Sequence, residues 1–450
     1  MKRFLYQCFR LVSAFERSRK RQLTTNGLIV LFFLIFSGAL SLDTNQSLTA
    51  QIFTFLLSLL GLSIISSRLF RFRFHSDRIL PKFATVGVKL NYRLIIDNRT
   101  NKIEKCLTLL ENFADPIPTF TEFWTTPKPN EKKHNVIDRN LGYYRWLWLM
   151  KRKQGGTAKP ISLPTLYPQR KIEVIGEITP LYRGVIRLAG LTVIRPDPFN
   201  LFNACVTISL PQSLIVLPKL YNLPEIKLPG LRRYQSGGVA LASSVGDSEE
   251  FRSLREYRPG DSLRKIHWKS WAKVGKPIVK EEQDEFFVRH ALILDTFQSV
   301  KYSEVLEAAI AIAASFAYKV QTQESLLDLM FVGHEAYSFT FGRGLSHTDR
   351  MLEILASVVA CQDKSFASLT PVILERVSLL SGCICIFLSW DDERQQLINY
   401  LKSIGIHLLI LIVTEKAETL ENYQIESMGD DLVQFKVLQL GKIQEELISL

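Results

Sequence analysis

Residues 27–69 read GLIVLFFLIFSGALSLDTNQSLTAQIFTFLLSLLGLSIISSRL. Two apolar runs, Gly27–Leu42 and Leu48–Leu69, flank the polar stretch Asp43-Thr-Asn-Gln-Ser47. Each run supplies close to the ~20 residues needed to cross ~30 Å of hydrocarbon, the first near the short limit. The polar stretch is too short for anything but an antiparallel hairpin. Lys2, Arg3, Arg10, Arg17, Arg19, Lys20 and Arg21 precede the first run, Arg68, Arg71, Arg73 and Arg78 close the second, and the turn holds no base. Cytoplasmic segments carry the excess of Lys and Arg, which places both ends inside. The reading is a cytoplasmic N-terminus over 1–26, two transmembrane helices over 27–69 in the cell (inner) membrane, and everything beyond on the cytoplasmic side. The basic start and Ser37-Gly-Ala-Leu-Ser41 also resemble a cleaved signal sequence, yet the second run would still anchor the chain. Arginines at 68, 71 and 73 oppose a buried core hairpin.

The whole chain has 450 residues, 47% hydrophobic and 22% charged, a globular composition with room for two or three domains. Its net charge of +12 would raise nucleic acid as a partner. However, residues 1–78 hold eleven bases against three acids and supply +8 of that charge. The surplus belongs to the membrane flanks, and no nucleic-acid partner is expected. Cysteines at 8, 106, 205, 361, 383 and 385 are too sparse and irregular for a disulfide framework. Cys383 and Cys385 share one face of an apolar strand and read as core filler. The seven histidines fall at no metal-ligand spacing.

Residues 75–240 alternate as short β-branched segments, around Val86–Asp97, Lys105–Glu111, Lys171–Thr179, Gly184–Leu188, Thr192–Arg195 and Cys205–Leu217, with turn residues between them. That pattern predicts a β-sandwich-like middle domain. Inside it lies Tyr143-Tyr-Arg-Trp-Leu-Trp-Leu-Met150, followed by Lys151-Arg-Lys153. Aromatics beside lysines suit a membrane interface. The alternation predicts instead a strand on the core, ending in a solvated hairpin loop at Gln154-Gly-Gly156.

Residues 246–285 hold nine bases and nine acids. Zero net charge opposes phosphate-backbone binding and suits internal Arg–carboxylate forks. Arg258-Pro-Gly-Asp261 is a turn signature, and Ile266, Trp268 and Trp271 are apolar anchors. From 286 to 450 strands and helices alternate. Strands are read at Ala291–Asp295, Leu326–Val332, Tyr337–Phe341, Cys383–Ser389, His407–Val413 and Leu432–Leu440. Helices are read at Tyr302–Val320, Asp349–Cys361 and Asp391–Ser403. This predicts a largely parallel, Rossmann-like sheet wrapped by helices, with ligands at the carboxyl ends of its strands. Asp295, Ser299, Ser389 and Asp391 lie there as candidate oxygen ligands for a divalent cation. Equally, Asp295 ends a strand or caps a helix, and Asp391 sits at a helix N-terminus, where the dipole favours it.

Two stretches carry a family resemblance. One is Tyr182-Arg-Gly-Val185 leading to Pro196-Asp-Pro-Phe199-Asn-Leu-Phe202. The other is Glu250-Phe-Arg-x-Leu-Arg255-Glu256-Tyr257-Arg-Pro259-Gly260-Asp261, continuing as Arg264-Lys-Ile-His267-Trp268. The chain resembles the bacterial domain of unknown function 58 family. That resemblance implies paired N-terminal spans, a β-rich middle and a C-terminal von Willebrand factor A-like domain. It also implies a metal-ion-dependent adhesion site with the pattern Asp-x-Ser-x-Ser, matched at Asp295 and Ser299 but interrupted by Phe297. An Mg²⁺ site there is therefore expected to be degenerate. The family is similar to proteins that work beside MoxR-type AAA+ ATPases, which implies an adaptor role in assembly or maturation.

No P-loop, G-x-S-x-G elbow or zinc-hydrolase helix is present in the sequence. Gly342-Arg-Gly344 is too short to cradle a phosphate. The expectation is a membrane-anchored, non-enzymatic scaffold or adaptor for protein partners. Two alternatives differ in class: a module binding an anionic small ligand at Arg255, Arg258 and Arg264, and an enzyme using Glu256, Asp261 and His267 as acid–base groups.

Overall fold

The computed structural model describes residues 2–40, 47–70, 72–129, 131, 135, 141–224, 251–261, 263, 266–282, 289–320, 326–333, 335–341, 345–415 and 432–449. It divides into two compact units, Met1–Lys219 and Leu220–Leu450. The boundary near 240 expected from sequence lies outside the described residues, as do Arg71, Arg264 and Gly342–Gly344.

The first unit opens with three helices: α1 (Lys2–Gln22), α2 (Thr25–Leu40) and α3 (Ser47–Leu69). At 1.5 Å per residue the 16 residues of α2 reach only about 24 Å. Among the described residues one helix, α3 over Leu48–Leu69, is long and apolar enough to cross a membrane. α2 and α3 touch where the Phe53 ring packs on Gly38, a site at which a Cβ would lie 3.1 Å from that ring. Phe32, Phe36, Phe55 and Ile65 on these helices stay exposed.

Two sheets follow, sharing one hydrophobic core. Strands β1 (Phe74–Ile79), β2 (Phe83–Thr85), β3 (Leu90–Asn98) and β4 (Thr108–Phe113) are followed by helices α4 (Phe120–Thr125) and α5 (Tyr143–Gln154). Strands β5 (Gly156–Ala158), β6 (Ile161–Ser162), β7 (Lys171–Pro180), β8 (Gly184–Pro196) and β9 (Asn203–Leu217) complete the unit. The sheet orders are β1-β3-β7-β5 and β2-β9-β8-β4-β6. Period-2 alternation puts Tyr92, Leu94 and Ile96 of β3 inside, facing a core that also takes Leu109, Ile186, Leu191, Val193 and Leu214. The segments expected at Gly184–Leu188 and Thr192–Arg195 are one strand, interrupted by a β-bulge between Leu188 and Gly190. Gly190 is required there, because a Cβ would lie 2.0 Å from the Ile208 carbonyl oxygen.

The strand expected over 143–150 is instead helix α5. Its Trp146 and Leu149, three residues apart, bury against Phe123 and against Tyr6 and Phe9 of α1. Gly155 ends it in the left-handed region at φ +76°, and Lys151, Arg152 and Lys153 lie where the helix dipole favours cations. Alternation and helical spacing are both satisfied by so short an aromatic run, and the packing on Tyr6, Phe9 and Phe123 decides between them.

The second unit contains β10 (Phe251–Glu256), α6 (Trp268–Val274) and β11 (Ile278–Glu282), with β10 and β11 paired antiparallel. Then come β12 (Arg289–Leu294), α7 (Glu304–Val320), β13 (Leu326–Val332), β14 (Ala336–Phe341), α8 (Leu345–Ser357), α9 (Thr370–Arg376), β15 (Gly382–Phe387), α10 (Asp392–Ser403), β16 (His407–Thr414), β17 (Val433–Gln439) and α11 (Ile443–Ile448). The six-stranded sheet runs β14-β13-β12-β15-β16-β17. All neighbours are parallel except the β13–β14 pair. One face packs Ala291, Ile293, Cys383, Cys385 and Ile410 against Ile373, Leu397 and Leu401 of α9 and α10. The other lies against α7. Cys383 and Cys385 are core residues, and burial pushes the Cys383 thiol up to about 12. The helix expected over Asp349–Cys361 lies four residues earlier, and Cys361 instead bridges Phe297 in parallel.

Candidate functional site

The signature segment folds into the β10–α6–β11 hairpin. Asp261 donates its amide to the Arg258 carbonyl at 3.0 Å and accepts the Arg258 amide on its side chain at 2.8 Å. Pro259 sets φ, and Gly260 takes φ +107°, which closes the turn. Arg255 then grips Asp261 with two parallel bonds, Nη1 to Oδ2 at 2.6 Å and Nη2 to Oδ1 at 2.7 Å. The bonds from Arg255 and the Arg258 amide hold the Asp261 carboxyl down at about 2. Glu256, the last residue of β10, is exposed and pairs at 3.1 Å with Lys276, two residues before β11. Tyr257 donates its amide to the Pro277 carbonyl. His267 precedes α6, and its Nδ1 lies 2.6 Å from the Ser270 hydroxyl. Trp268 stacks on Trp271 at 5.2 Å and remains exposed. Glu256, Asp261 and His267 are thus each committed to a different neighbour, and Arg255 is already neutralised.

The second candidate lies where the sheet order reverses, at the carboxyl ends of β12 and β15. Asp295 is fully buried, just past β12. Its Oδ1 accepts the Phe297 amide at 3.0 Å, and Oδ2 accepts the Leu388 amide at 3.0 Å. The Arg394 guanidinium completes the set, with Nε at 2.8 Å and Nη2 at 2.7 Å from the same Oδ2. Arg394 also binds Asp391, whose side chain caps α10 by accepting the Arg394 amide. Its guanidinium carbon sits 4.6 Å from the Phe366 ring centre, and that ring meets Phe297 edge-on at 5.7 Å. Burial pushes the Asp295 carboxyl up, while Arg394 and the two amides pull it back. All its partners are N–H donors, the set that suits a carboxylate.

These residues do not fit Mg²⁺. A hard cation needs several free oxygens at about 2.1 Å, and both oxygens of Asp295 are occupied by donors. Ser299 is exposed, Ser389 is half-buried, and Phe297 between Asp295 and Ser299 offers a ring packed on the core and no oxygen. Among the described residues no group of three or more His, Cys, Asp or Glu is placed to hold a metal. Sequence reading placed Asp295 and Asp391 in one neighbourhood but missed Arg394, whose only local signal is its position three residues after Asp391.

A third cluster lies in the loop between β8 and β9. In Pro196–Phe202, Asp197 accepts the amides of Phe199, Leu201 and Phe202 and the Ser63 hydroxyl of α3 at 2.7 Å. Burial pushes this carboxyl up, yet Ser63 and the three amides leave it below the ordinary value. Thr24 donates its hydroxyl to the Asn200 carbonyl at 2.7 Å and its amide to the Leu201 carbonyl. Gly27 of α2 lies so close that a Cβ would meet the Leu201 oxygen at 2.2 Å. This loop is a socket joining α2 and α3 to the β-sheets.

Residues 253–377 match the family model described as protein of unknown function DUF58. The uncharacterized protein YeaD of Bacillus subtilis (strain 168) is 25% identical over 206 residues, which make up 45% of this chain and 50% of that relative. The match therefore spans about half the relative's length. Among solved structures, the CARDB domain of a Pyrococcus furiosus protein is 12% identical over 32% of this chain and 89% of that one, at a TM-score of 0.18. The human CEP192 PapD-like domain 7 is 11% identical over 32% of this chain and 83% of that one, at 0.16.

Proposed function

We propose that the protein is a membrane-anchored, non-enzymatic adaptor. In this reading α2 and α3 form a two-span hairpin with both ends in the cytoplasm, a β-sandwich follows, and a von Willebrand factor A-like domain binds protein partners. The observation that carries it is the closed site at Asp295, whose two carboxylate oxygens are taken by Arg394 and two backbone amides. The sheet order, with a reversed edge strand and its switch point between β12 and β15, supports the domain reading. The long apolar α3, the exposed apolar side chains of α2 and the basic flanks support the anchor. The partner class, a MoxR-type AAA+ ATPase, comes from the family resemblance.

The test uses the full chain from isolated membranes, captured on immobilised ATPase with and without EDTA in the absence of nucleotide. Retention unaffected by EDTA is expected, along with no rise in thermal stability on adding Mg²⁺ or Mn²⁺. Recovery in the supernatant after detergent-free ultracentrifugation removes the anchor. Failure to retain the ATPase removes that partner class. Stabilisation by either metal overturns the closed site.

A further inference from the structure

Helix α1 turns one face to the protein and leaves another bare. On the covered face Tyr6 donates its hydroxyl to the Pro118 carbonyl at 2.9 Å, and the Trp146 indole donates to the Ser13 hydroxyl at 2.7 Å. Phe9 packs on Phe123 and Trp146, and Arg17 pairs with Asp115. Residues 6, 9, 13 and 17 follow the spacing of one helical stripe. Phe4, Leu11 and Phe15 form a second stripe by the same spacing, and they are 71%, 70% and 71% exposed. Val12 beside them is also exposed. Large apolar side chains lined up in this way on a charged helix require a cover.

Two observations name that cover. The helix carries seven bases, Lys2, Arg3, Arg10, Arg17, Arg19, Lys20 and Arg21, against Glu16 alone, with Arg10 and Arg19 exposed. It also ends at Gln22 with only two residues between it and the apolar α2, and that linker, Leu23-Thr24, is tied to the Asn200–Phe202 loop. An amphipathic helix with a basic polar face, continuous with a membrane-spanning helix, is built to lie in the bilayer interface. We infer that α1 is a lipid-docking element. Phe4, Leu11 and Phe15 enter the boundary between headgroups and acyl chains, and Arg10 and Arg19 meet anionic headgroups. The α1–α4–α5 aromatic cluster is thereby held at the membrane surface.

The inference rests on the anchor reading, and the experiment separates the two. A fluorescent amino acid is placed singly at residue 11, 15, 55 or 167 of the full chain. The protein is reconstituted into vesicles of phosphatidylcholine and phosphatidylglycerol brominated on the acyl chains. Loss of fluorescence is expected at 11 and 15, and also at 55 in α3, but not at 167, an exposed tyrosine outside these helices. Quenching at 55 with none at 11 and 15 overturns the inference, leaves the anchor standing and assigns the stripe to a protein partner. No quenching at 55 overturns the anchor and, with it, the docking of α1.

Discussion

Arg394→Met tests whether the guanidinium is the fixed cation of the Asp295 site. Both side chains are almost fully enclosed, at 4% and 0% exposure, so solvent cannot replace the lost partner. Deleting one member of a buried ion pair costs about 3–5 kcal/mol, because the other charge is left without compensation. The Phe297 and Leu388 amides remain on Asp295, which argues for the lower end, about 3 kcal/mol. The double variant Asp295→Asn/Arg394→Met removes both charges and is expected to be less destabilised than the sum of the two single variants, with recovery incomplete because Asn offers one acceptor oxygen to the two amides. The single variant also has a signed pH dependence. Without Arg394, burial drives the Asp295 carboxyl further up, so the folded state takes up a proton before the unfolded state does. Stability is then gained as pH falls through the folded-state value and lost as it rises back. Pulse proteolysis in urea, following the fragment from 220 to 450 of the full chain in detergent, measures both effects. A single-variant cost under about 1 kcal/mol at pH 7, an unchanging penalty from pH 7 to 4.5, or simple additivity in the double variant refutes the reasoning.

His290 is buried, and burial pulls it down to about 4. Stability is therefore full above about pH 6.5 and is lost as pH falls toward 4, by about 3 kcal/mol, and His290→Phe should flatten that part of an acid-unfolding curve. Glu111 is buried between Arg78 and Tyr92 in the first unit, its Oε2 accepting the Tyr92 hydroxyl at 2.7 Å. Glu111→Ala strands the Arg78 guanidinium and should cost about 3–5 kcal/mol in denaturant titration of that unit, more than Leu109→Ala at about 2–5 kcal/mol only if the charge dominates. Asp197→Ala removes the acceptor of three amides and of Ser63. It should speed hydrogen exchange at residues 199–202 and at the start of α2 while leaving β12–β17 unchanged.

The strands were legible wherever one face of a sheet is buried, as in Leu90–Asn98, because alternation then follows directly from the pleat. The bulge near Gly190 was not: it breaks the period by one residue, so a continuous strand reads as two. Helix α5 was misread because Trp146 and Leu149 satisfy helical spacing inside an alternating run, and the aromatic partners that settle it lie at Tyr6, Phe9 and Phe123, far along the chain. The Arg255–Asp261 fork was accessible because the turn brings two residues six apart together. The Asp295–Arg394 pair spans 99 residues and leaves no local trace.

That pair has a counterpart. Asp295 follows Ala291 and Ile293 on one sheet face by strand alternation, and Arg289 begins the same row. Arg289 binds Asp328 through Nε at 2.7 Å and Nη2 at 2.9 Å, both side chains buried. The face that receives α9 and α10 therefore carries a closed ion pair at each end, with a wholly apolar floor between. An apolar floor alone accepts a helix at several registers, since hydrophobic burial has no direction. Ion pairs that must close at both ends reject any sliding, because a shift would leave a buried charge unpaired. Arg394 lies on α10 itself and Arg376, at the end of α9, approaches Asp328 at 3.8 Å, so each helix reads one end of the row. Arg394 does two things with one group: it neutralises the buried Asp295 carboxylate and fixes the register of α10 against the sheet.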